Sequence, residues 1–218
     1  MECVSVEKAV GLIFDGATVM VGGFMGVGTP ERLMDELVRQ RKGNLTLICN
    51  DNAMPGVGVG KLVSAGLVKR TISSHIGLNT ESQKKMFEKA MEVDLVPQGT
   101  LVERIRAGGY GLGAVVTPTG VGTEVEQGKR TIELNGKLYL VEMPLRADFA
   151  LIQAFLCDYL GNLSYALTAR NFNPTMAMAA DVVIVETEHM VPVGLIQPHN
   201  VMTQAPLVDY VVAHEIMS

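Results

Sequence analysis

Apolar residues follow two alternating spacings along the first fifty residues, and these predict helices and strands in turn. In residues 5–14 the apolar positions lie three or four residues apart, which is the spacing of a helix with one buried face. Residues 17–21 form a short apolar run, which is typical of a strand buried on both faces. The helical spacing returns in residues 30–41, and a second apolar run follows at 45–49. The pattern therefore predicts helix, strand, helix and strand in that order.

The same alternation continues to the end of the chain. It predicts further strands at residues 68–73, 93–96, 149–152 and 182–185, and further helices at 61–65, 81–91, 101–107 and 173–180. Two β-favouring runs joined by Asn135-Gly136 predict a hairpin that inserts into the core or caps it. We therefore expect an α/β fold: a mostly parallel open sheet with helices on both faces, an inserted β-hairpin and glycine-rich loops. No internal repeat or linker divides residues 1–218, so a single domain is expected.

A glycine-rich loop joins the first strand to the second helix. Its sequence, Gly22-Gly23-Phe24-Met25-Gly26-Val27-Gly28, holds four glycines in seven positions and is called the glycine loop below. Glycine permits positive φ and lets a ligand approach the backbone, so we expect free N–H groups facing an acyl, phosphate or carboxylate oxygen. Thr29 is predicted to cap the helix, with Pro30 in its first turn. The alternative is a tight turn that needs glycine only for its φ angles.

Polar residues follow two more of the predicted strands. Asn50-Asp51 comes after the second strand, and Pro97-Gln98-Gly99 comes after the fourth. Ligands of open parallel sheets bind beyond the carboxyl ends of the strands, so these segments and the glycine loop are expected at one edge. Taken alone, Asn50 and Gln98 are also compatible with loop residues that bond their own backbone.

Composition excludes several classes of function. With 48% hydrophobic and 19% charged residues the chain is globular, and no apolar run approaches the roughly 18–20 residues of a membrane helix. The first residues lack the pattern of a secretory signal, so a cytoplasmic location is expected. A net charge of −5 without a basic stripe argues against a nucleic-acid partner. Cys3, Cys49 and Cys157 lie far apart, which argues against a disulfide framework or a metal site.

Common motifs for nucleotides and for hydrolysis are incomplete. The nearest relaxed match to the dinucleotide motif, Gly109-Tyr110-Gly111-Leu112-Gly113-Ala114, follows a predicted helix rather than a strand. Gly60-Lys61 continues to Leu62 instead of the Ser or Thr of a P-loop. There is no G-x-S-x-G elbow, and the four histidines are scattered; His75, at a predicted strand end, is the best placed of them. From the residues alone, the class of ligand stays open.

Several blocks in fixed order nevertheless resemble a known family. Its signature is matched by Asp15-Gly16, Val19-Met20-Val21, Gly22-Gly23-Phe24, Gly28 and Pro30. Further matching blocks are Ser74-His75-Ile76-Gly77, Pro97-Gln98-Gly99-Thr100-Leu101, Glu103-Arg104-Ile105-Arg106-Ala107-Gly108-Gly109, Thr117-Pro118-Thr119-Gly120 and Ala169-Arg170-Asn171-Phe172-Asn173-Pro174. Over nearly its whole length the chain resembles the alpha-subunit half of class I coenzyme A transferases, the 3-oxoacid type that acts on acetate, acetoacetate and butyrate.

The resemblance implies an activity and a partner. In this family a glutamate attacks an acyl-CoA thioester, and a glutamyl-CoA thioester formed through an anhydride then passes CoA to a second carboxylic acid. The glutamate belongs to the beta subunit, so the resemblance implies no nucleophile on this chain, an obligate beta subunit and an α₂β₂ assembly. Coenzyme A would be a substrate and not a permanently bound cofactor.

The resemblance also assigns roles to the candidate site residues. The glycine loop would form part of the CoA-binding surface, while Asn50 and Gln98 would line the acyl pocket. Tyr110 and Asn52-Ala53-Met54 depart from the family pattern, so the choice among acetate, butyrate, acetoacetate and succinate stays open. The alternative function is an isomerase-like or regulatory ligand-binding protein of the same architecture, without CoA chemistry.

Overall fold

A parallel sheet runs through the molecule and organises the other elements around it. The structure is a computed structural model that describes residues 1–216. Its strands are β1 (Glu2–Cys3), β2 (Thr18–Val21), β3 (Leu45–Asp51), β4 (Val68–His75), β5 (Glu92–Leu95), β6 (Val115–Thr117), β7 (Thr131–Leu134), β8 (Lys137–Glu142), β9 (Ala147–Asp158), β10 (Leu163–Ser164), β11 (Ala180–Val191) and β12 (Tyr210–Ile216). The α-helices are α1 (Val6–Gly11), α2 (Glu31–Arg39), α3 (Gly60–Ser64), α4 (Thr80–Phe87), α5 (Gln98–Gly109) and α6 (Asn173–Met176).

Within residues 1–216 the main sheet has the strand order β1-β12-β11-β9-β2-β3-β4-β5, all parallel, and β10 pairs antiparallel with β9. The sheet does not close into a barrel, which confirms the predicted fold class. None of the described helices is long and apolar enough to cross a membrane.

Two apolar clusters, one on each face of the sheet, hold the helices in place. On one face Val10 of α1, Leu37 of α2 and Leu62 of α3 pack together and are fully buried. On the other face Ile105 of α5 and Met176 of α6 are equally buried. Burial of one such side chain contributes about 1.5–3 kcal/mol. The helices therefore cover both faces, as the alternating pattern predicts.

The start of α2 differs from the prediction for Thr29. Pro30 occupies the N-cap position and makes no side-chain cap bond, while the Thr29 hydroxyl donates to the Gly22 carbonyl at 3.1 Å. The backbone N–H groups of Arg32 and Leu33 donate instead to the carboxylate of Glu186, at 3.3 and 3.0 Å. Thr29 is thus used to brace the glycine loop, because a buried acid from β11 caps the helix and complements its positive end.

The predicted hairpin is confirmed, but it does not join the main sheet. Asn135 and Gly136 have φ angles of 53° and 73°, as a type I′ turn requires. The hairpin strands β7 and β8 pair with each other, and β8 also pairs with β6, in a separate antiparallel sheet with the order β6-β8-β7. Glu142 of β8 is buried and forms ion pairs with Lys129, at 2.6 Å, and with Arg104 of α5, at 3.8 Å. The small sheet therefore packs beside α5.

Several element boundaries differ from those predicted. Strands β9 and β11 have twelve residues each, where apolar runs predicted four. Polar residues such as Gln153 and Glu186 interrupt those runs, although both side chains find partners inside the fold. The predicted helix 173–180 is shorter in the structure: α6 ends at Met176, and Ala180 already belongs to β11. Strands β1 and β12, which pair at the sheet edge, were not predicted.

Candidate active site

The glycine loop lies where the sheet reverses its direction of growth. From β2 the chain adds β3, β4 and β5 outward on one side, and it later returns to pair β9 with the other side of β2. The loops on the two sides of such a point diverge and leave a crevice at the carboxyl edge of the sheet. The loop that follows β2 is therefore placed at the position where open α/β sheets bind their ligands.

Backbone geometry explains why the glycine loop needs its glycines. Gly23, Gly26 and Gly28 have φ angles of 118°, 88° and 77°, values that other residues rarely adopt. A Cβ on Gly22 would lie 1.5 Å from the Oδ1 atom of Asn173. The amide of Asn173 in turn donates to the Gly28 carbonyl at 3.0 Å. The tight-turn explanation thus accounts for part of the glycine content.

Some N–H groups of the glycine loop remain available to a ligand. Phe24 and Val27 exchange backbone hydrogen bonds of 2.9 and 3.0 Å, and Met25 donates to Asp51. Among residues 1–216 the N–H groups of Gly23, Gly26 and Gly28 have no acceptor. Gly26 is half-buried, whereas the other two are buried. The loop therefore offers a ligand oxygen one accessible N–H, at Gly26.

Asn50 and Gln98 lie together, as their predicted place at one sheet edge requires. Gln98 donates from Nε2 to the Oδ1 atom of Asn50 at 2.6 Å. Asn50 donates from Nδ2 to the Oδ2 atom of Asp51 at 2.7 Å, and the Met25 N–H reaches the same oxygen at 3.0 Å. One chain of hydrogen bonds therefore joins α5, β3 and the glycine loop. The shared edge is confirmed, although Asn50 belongs to the end of strand β3 and Gln98 begins helix α5, where loops were predicted.

Two contributors to this geometry were missed in the sequence. Asp51 anchors Asn50 and the glycine loop, and Asn173 donates to the Gly28 carbonyl at one end of that loop and packs against Gly22 at the other. Asp51 directly follows Asn50 in the same predicted edge segment, and Asn173 lies in the last matching family block. Those positions were visible in the sequence, but the contacts depend on how distant elements pack.

Two cavities meet at this network. The first has a volume of about 380 Å³, and its lining residues are Phe24, Met25, Asn50, Asp51, Ser74, His75, Leu78 and Gln98. The second has a volume of about 560 Å³, and its lining residues are Phe24, Gln98, Thr168, Arg170 and Asn171. Phe24 and Gln98 line both cavities and therefore form the wall between them.

Charge is distributed unequally between the two cavities. The first is lined by neither Lys nor Arg, and its one acidic lining residue, Asp51, is buried. The second contains Arg170, which is exposed and has no ion-pair partner among residues 1–216. Neither lining includes a glutamate. The first cavity therefore suits an uncharged group, and the second suits an anion.

Cys49 and His75 lie near the site, and Cys49 is a poor candidate for a nucleophile. Cys49 is buried beneath the edge of the sheet, and burial raises the pKa of its thiol to about 12, so very little thiolate forms at neutral pH. His75 lines the first cavity, and its ring packs closely against Gly77. A Cβ on Gly77 would lie 2.6 Å from the His75 ring. Within the described part of the chain, no three His, Cys, Asp or Glu residues are grouped as a metal site would require.

Comparison with known proteins identifies the family. The coenzyme A transferase family matches residues 3–214. The chain is 51% identical over 211 residues to acetate CoA-transferase subunit alpha of Escherichia coli (strain K12), covering 97% of this chain and 96% of that one. It is 52% identical over 198 residues, 91% of each chain, to the acetoacetyl-CoA:acetate/butyrate CoA transferase alpha subunit of Clostridium acetobutylicum (strain ATCC 824). The chain therefore belongs to the coenzyme A transferase family.

A solved structure agrees at the level of the fold. An acyl-CoA transferase from Escherichia coli O157:H7, in a thioester complex with CoA, superimposes with a TM-score of 0.87 at 24% identity. The match covers 97% of this chain and 47% of the other, so this chain spans about half the length of that protein. The two close relatives are alpha subunits of transferases, and the isomerase-like or regulatory alternative is not favoured.

Proposed function

We propose that this chain is the alpha subunit of an enzyme that moves coenzyme A between a short-chain acyl-CoA and a free carboxylic acid. The acyl-CoA would be acetyl-, butyryl- or acetoacetyl-CoA. Support comes from the two relatives at 51–52% identity, whose names specify acetate, acetoacetyl-CoA and butyrate. The proposed partner is a beta subunit in a cytoplasmic α₂β₂ assembly. Coenzyme A is a substrate in this proposal, and no cofactor is permanently bound.

The proposed mechanism uses a glutamate of the beta subunit. Its carboxylate attacks the thioester carbonyl, releases CoA thiolate and forms a mixed anhydride. The thiolate then attacks the glutamyl carbonyl, which releases the first acid and leaves a glutamyl-CoA thioester. A second acid reverses both steps and leaves with CoA. Each step exchanges one acyl bond for another, so covalent catalysis divides a difficult transfer into easier ones.

The observation that carries the proposal is the position of Gln98 between two cavities whose lining includes no glutamate. Gln98 is an uncharged donor placed beside space for an acyl group and space for an anion. A neutral amide stabilises a developing oxyanion without holding the partner's carboxylate in a fixed ion pair. In this proposal the chain supplies the polar donor Gln98, and the second subunit supplies the nucleophile.

The lining of the first cavity favours acids with one carboxylate. Phe24, Met25 and Leu78 are its apolar lining residues, and it is lined by no Lys or Arg. A second carboxylate on the substrate would lose its hydration there without gaining a cation, and it would lie near the buried charge of Asp51. Acetate, butyrate and acetoacetate therefore fit this cavity better than succinate.

The second cavity is proposed to receive part of coenzyme A. Arg170 is a free cation in its lining, and coenzyme A is anionic. The glycine loop contributes Phe24 to the same cavity and has the accessible N–H of Gly26 nearby in sequence. The wall formed by Phe24 and Gln98 would then separate the acyl group from the carrier, with the thioester carbonyl beside Gln98.

An exchange assay tests the proposal. The chain is coexpressed with the open reading frame next to its own, and the purified complex is given acetyl-CoA with butyrate, acetoacetate or succinate. We expect exchange with the first two acids, at least tenfold weaker exchange with succinate, and none from this chain alone. A stable complex that exchanges CoA with no short acid, or full activity without a partner, would contradict the proposal.

A further inference from the structure

Asp51 is the one carboxylate in the hydrogen-bond chain that leads to Gln98. Its Oδ2 atom accepts from Asn50 Nδ2 at 2.7 Å and from the Met25 N–H at 3.0 Å. Its Oδ1 atom accepts from the Ala53 N–H at 2.8 Å. The residue is 7% exposed, so these three donors replace most of the water it would otherwise bind. Asp51 is therefore a buried acceptor with every contact made to a donor.

The direction of the chain follows from this chemistry. A side-chain amide has an oxygen on one side and an NH₂ group on the other, and either can face a neighbouring amide. A carboxylate only accepts, so Asn50 must turn its NH₂ group toward Asp51. The oxygen of Asn50 then faces Gln98, so Gln98 must donate from its NH₂ group. One charge thus sets the orientation of two amides.

We propose that Asp51 is a positioning residue for CoA transfer, which orients the Gln98 amide through Asn50 so that Gln98 presents an N–H to the reacting carbonyl. The inference rests on the proposed function. Gln98 donates one Nε2 hydrogen to Asn50, and the second Nε2 hydrogen has no acceptor among residues 1–216. Because Gln98 lines both cavities, this second hydrogen is the one available to an oxyanion at their boundary.

The same oxygen also ties the glycine loop to the amide pair. Met25 has a positive φ of 50°, which is uncommon for a residue other than glycine, and its N–H points at Asp51 Oδ2. The loop and the amides therefore share one anchor.

The substitution Asp51→Asn tests the role of the carboxylate at nearly constant shape. The new amide side chain would present one oxygen and one NH₂ group to three donors, so one donor must face another. The three amides could then run in the opposite sense, which would turn the oxygen of Gln98 toward the substrate. In the assembled enzyme we expect kcat to fall at least tenfold, while KM for the acyl-CoA changes less than about twofold.

A double-mutant cycle separates this role from a general structural one. If Asp51 acts through Gln98, then Asp51→Asn should cost less than about twofold in kcat once Gln98→Ala is already present. Equal losses in both backgrounds, or no loss in either, would overturn the proposal. Asp158→Asn is the matched control. Asp158 is also buried and accepts from the backbone N–H groups of Leu160, Gly161 and Asn162, but it lines neither cavity, so kcat should stay unchanged.

A measurement on the wild-type chain keeps the inference testable if the variant fails to fold. In the isotope-labelled full chain, scalar couplings across hydrogen bonds should link Nε2 of Gln98 to Cγ of Asn50, and Nδ2 of Asn50 to Cγ of Asp51. Couplings in the opposite sense would overturn the proposal. This experiment needs no transferase activity, so its failure is distinguishable from failure of the proposed function.

Discussion

Two glycine-rich segments look alike in the sequence and differ in what their glycines do. In the glycine loop, Gly23, Gly26 and Gly28 adopt positive φ angles beside the candidate active site. Gly108 and Gly109 instead belong to helix α5. A Cβ on Gly108 would lie 1.9 Å from the Leu145 carbonyl oxygen, and one on Gly109 would lie 2.8 Å from the Cβ of Met178. The first segment needs glycine for positive φ as well as for close contacts, as at Gly22 beside Asn173, whereas Gly108 and Gly109 need it for close packing alone.

The comparison shows that glycine density alone does not indicate a ligand. The nearest match to a dinucleotide motif, residues 109–114, is the end of a packed helix and the turn after it. In the glycine loop the added information is the pattern around it: a preceding strand at the switch point of the sheet, unpaired N–H groups and two adjoining cavities. Substitutions in the two segments should therefore have different consequences.

The largest expected effect is on stability, at Gly108. In Gly108→Ala the new methyl group meets a backbone oxygen that cannot move aside cheaply, so the last turn of α5 must shift locally, at the opposite end of the helix from Gln98. We expect a loss of about 1–3 kcal/mol, seen as a melting temperature lower by roughly 3–10 °C, with kcat per folded molecule unchanged. Thermal unfolding and an exchange assay measure the two quantities. Gly113→Ala is the control, because a Cβ there has nothing within 4 Å.

The next effect is on catalysis, at the wall beside the glycine loop. Gln98→Ala removes the proposed oxyanion donor, and Asn50→Ala removes its support, so each should lower turnover of the assembled enzyme about tenfold or more. Melting temperatures should change little for Gln98→Ala because that side chain is exposed. Gln127→Ala, at an exposed glutamine that lines neither cavity, should leave turnover unchanged. Wild-type rates for both site variants would contradict the assignment.

The smallest expected effect is on KM, and it is tested at two glycines with similar positive φ angles. Gly26 and Gly111 have φ angles of 88° and 70°, so alanine at either position should cost about 1 kcal/mol. A Cβ at Gly26 also approaches Val57 and lies beside the accessible N–H, so KM for acyl-CoA should rise roughly threefold to tenfold there, at about 1.4 kcal/mol per factor of ten. Gly111→Ala should leave KM unchanged. An equal KM for the two variants would show that the loop needs glycine only for its turn.

The sequence predicts the fold best where burial is simple. Strands β2 and β3 hold short, buried apolar runs, and their positions follow from that pattern. Strands β4 and β5 lie close to their predicted positions although they carry more polar residues. The apolar pattern does not predict the second halves of β9 and β11, because these halves contain polar side chains. Distant partners satisfy those side chains, as when Glu186 caps α2. The same long-range contact explains why Thr29 is not the cap. Local patterns cannot indicate a partner that lies about 150 residues away in the chain.

For the candidate site, the sequence predicts which residues share an edge of the sheet, but not the contacts between them. Asn50 and Gln98 follow from the rule that the carboxyl ends of parallel strands share an edge. Their pairing, and the anchoring by Asp51, depend on the exact placement of α5 against β3. The assignment of a CoA substrate came from the resemblance and not from spacing. The expectation that the nucleophile lies on the partner subunit came from the same resemblance, and it stays a prediction.

The location of the covalent intermediate tests the central claim most directly. The assembled enzyme is incubated with acyl-CoA without acceptor acid, quenched, and each subunit is weighed by intact mass spectrometry. We predict a mass increase equal to bound CoA on the partner subunit, removed by borohydride or hydroxylamine, and none on this chain. A CoA adduct on this chain would contradict the account, because it would place the nucleophile on the subunit proposed to supply only the surrounding wall.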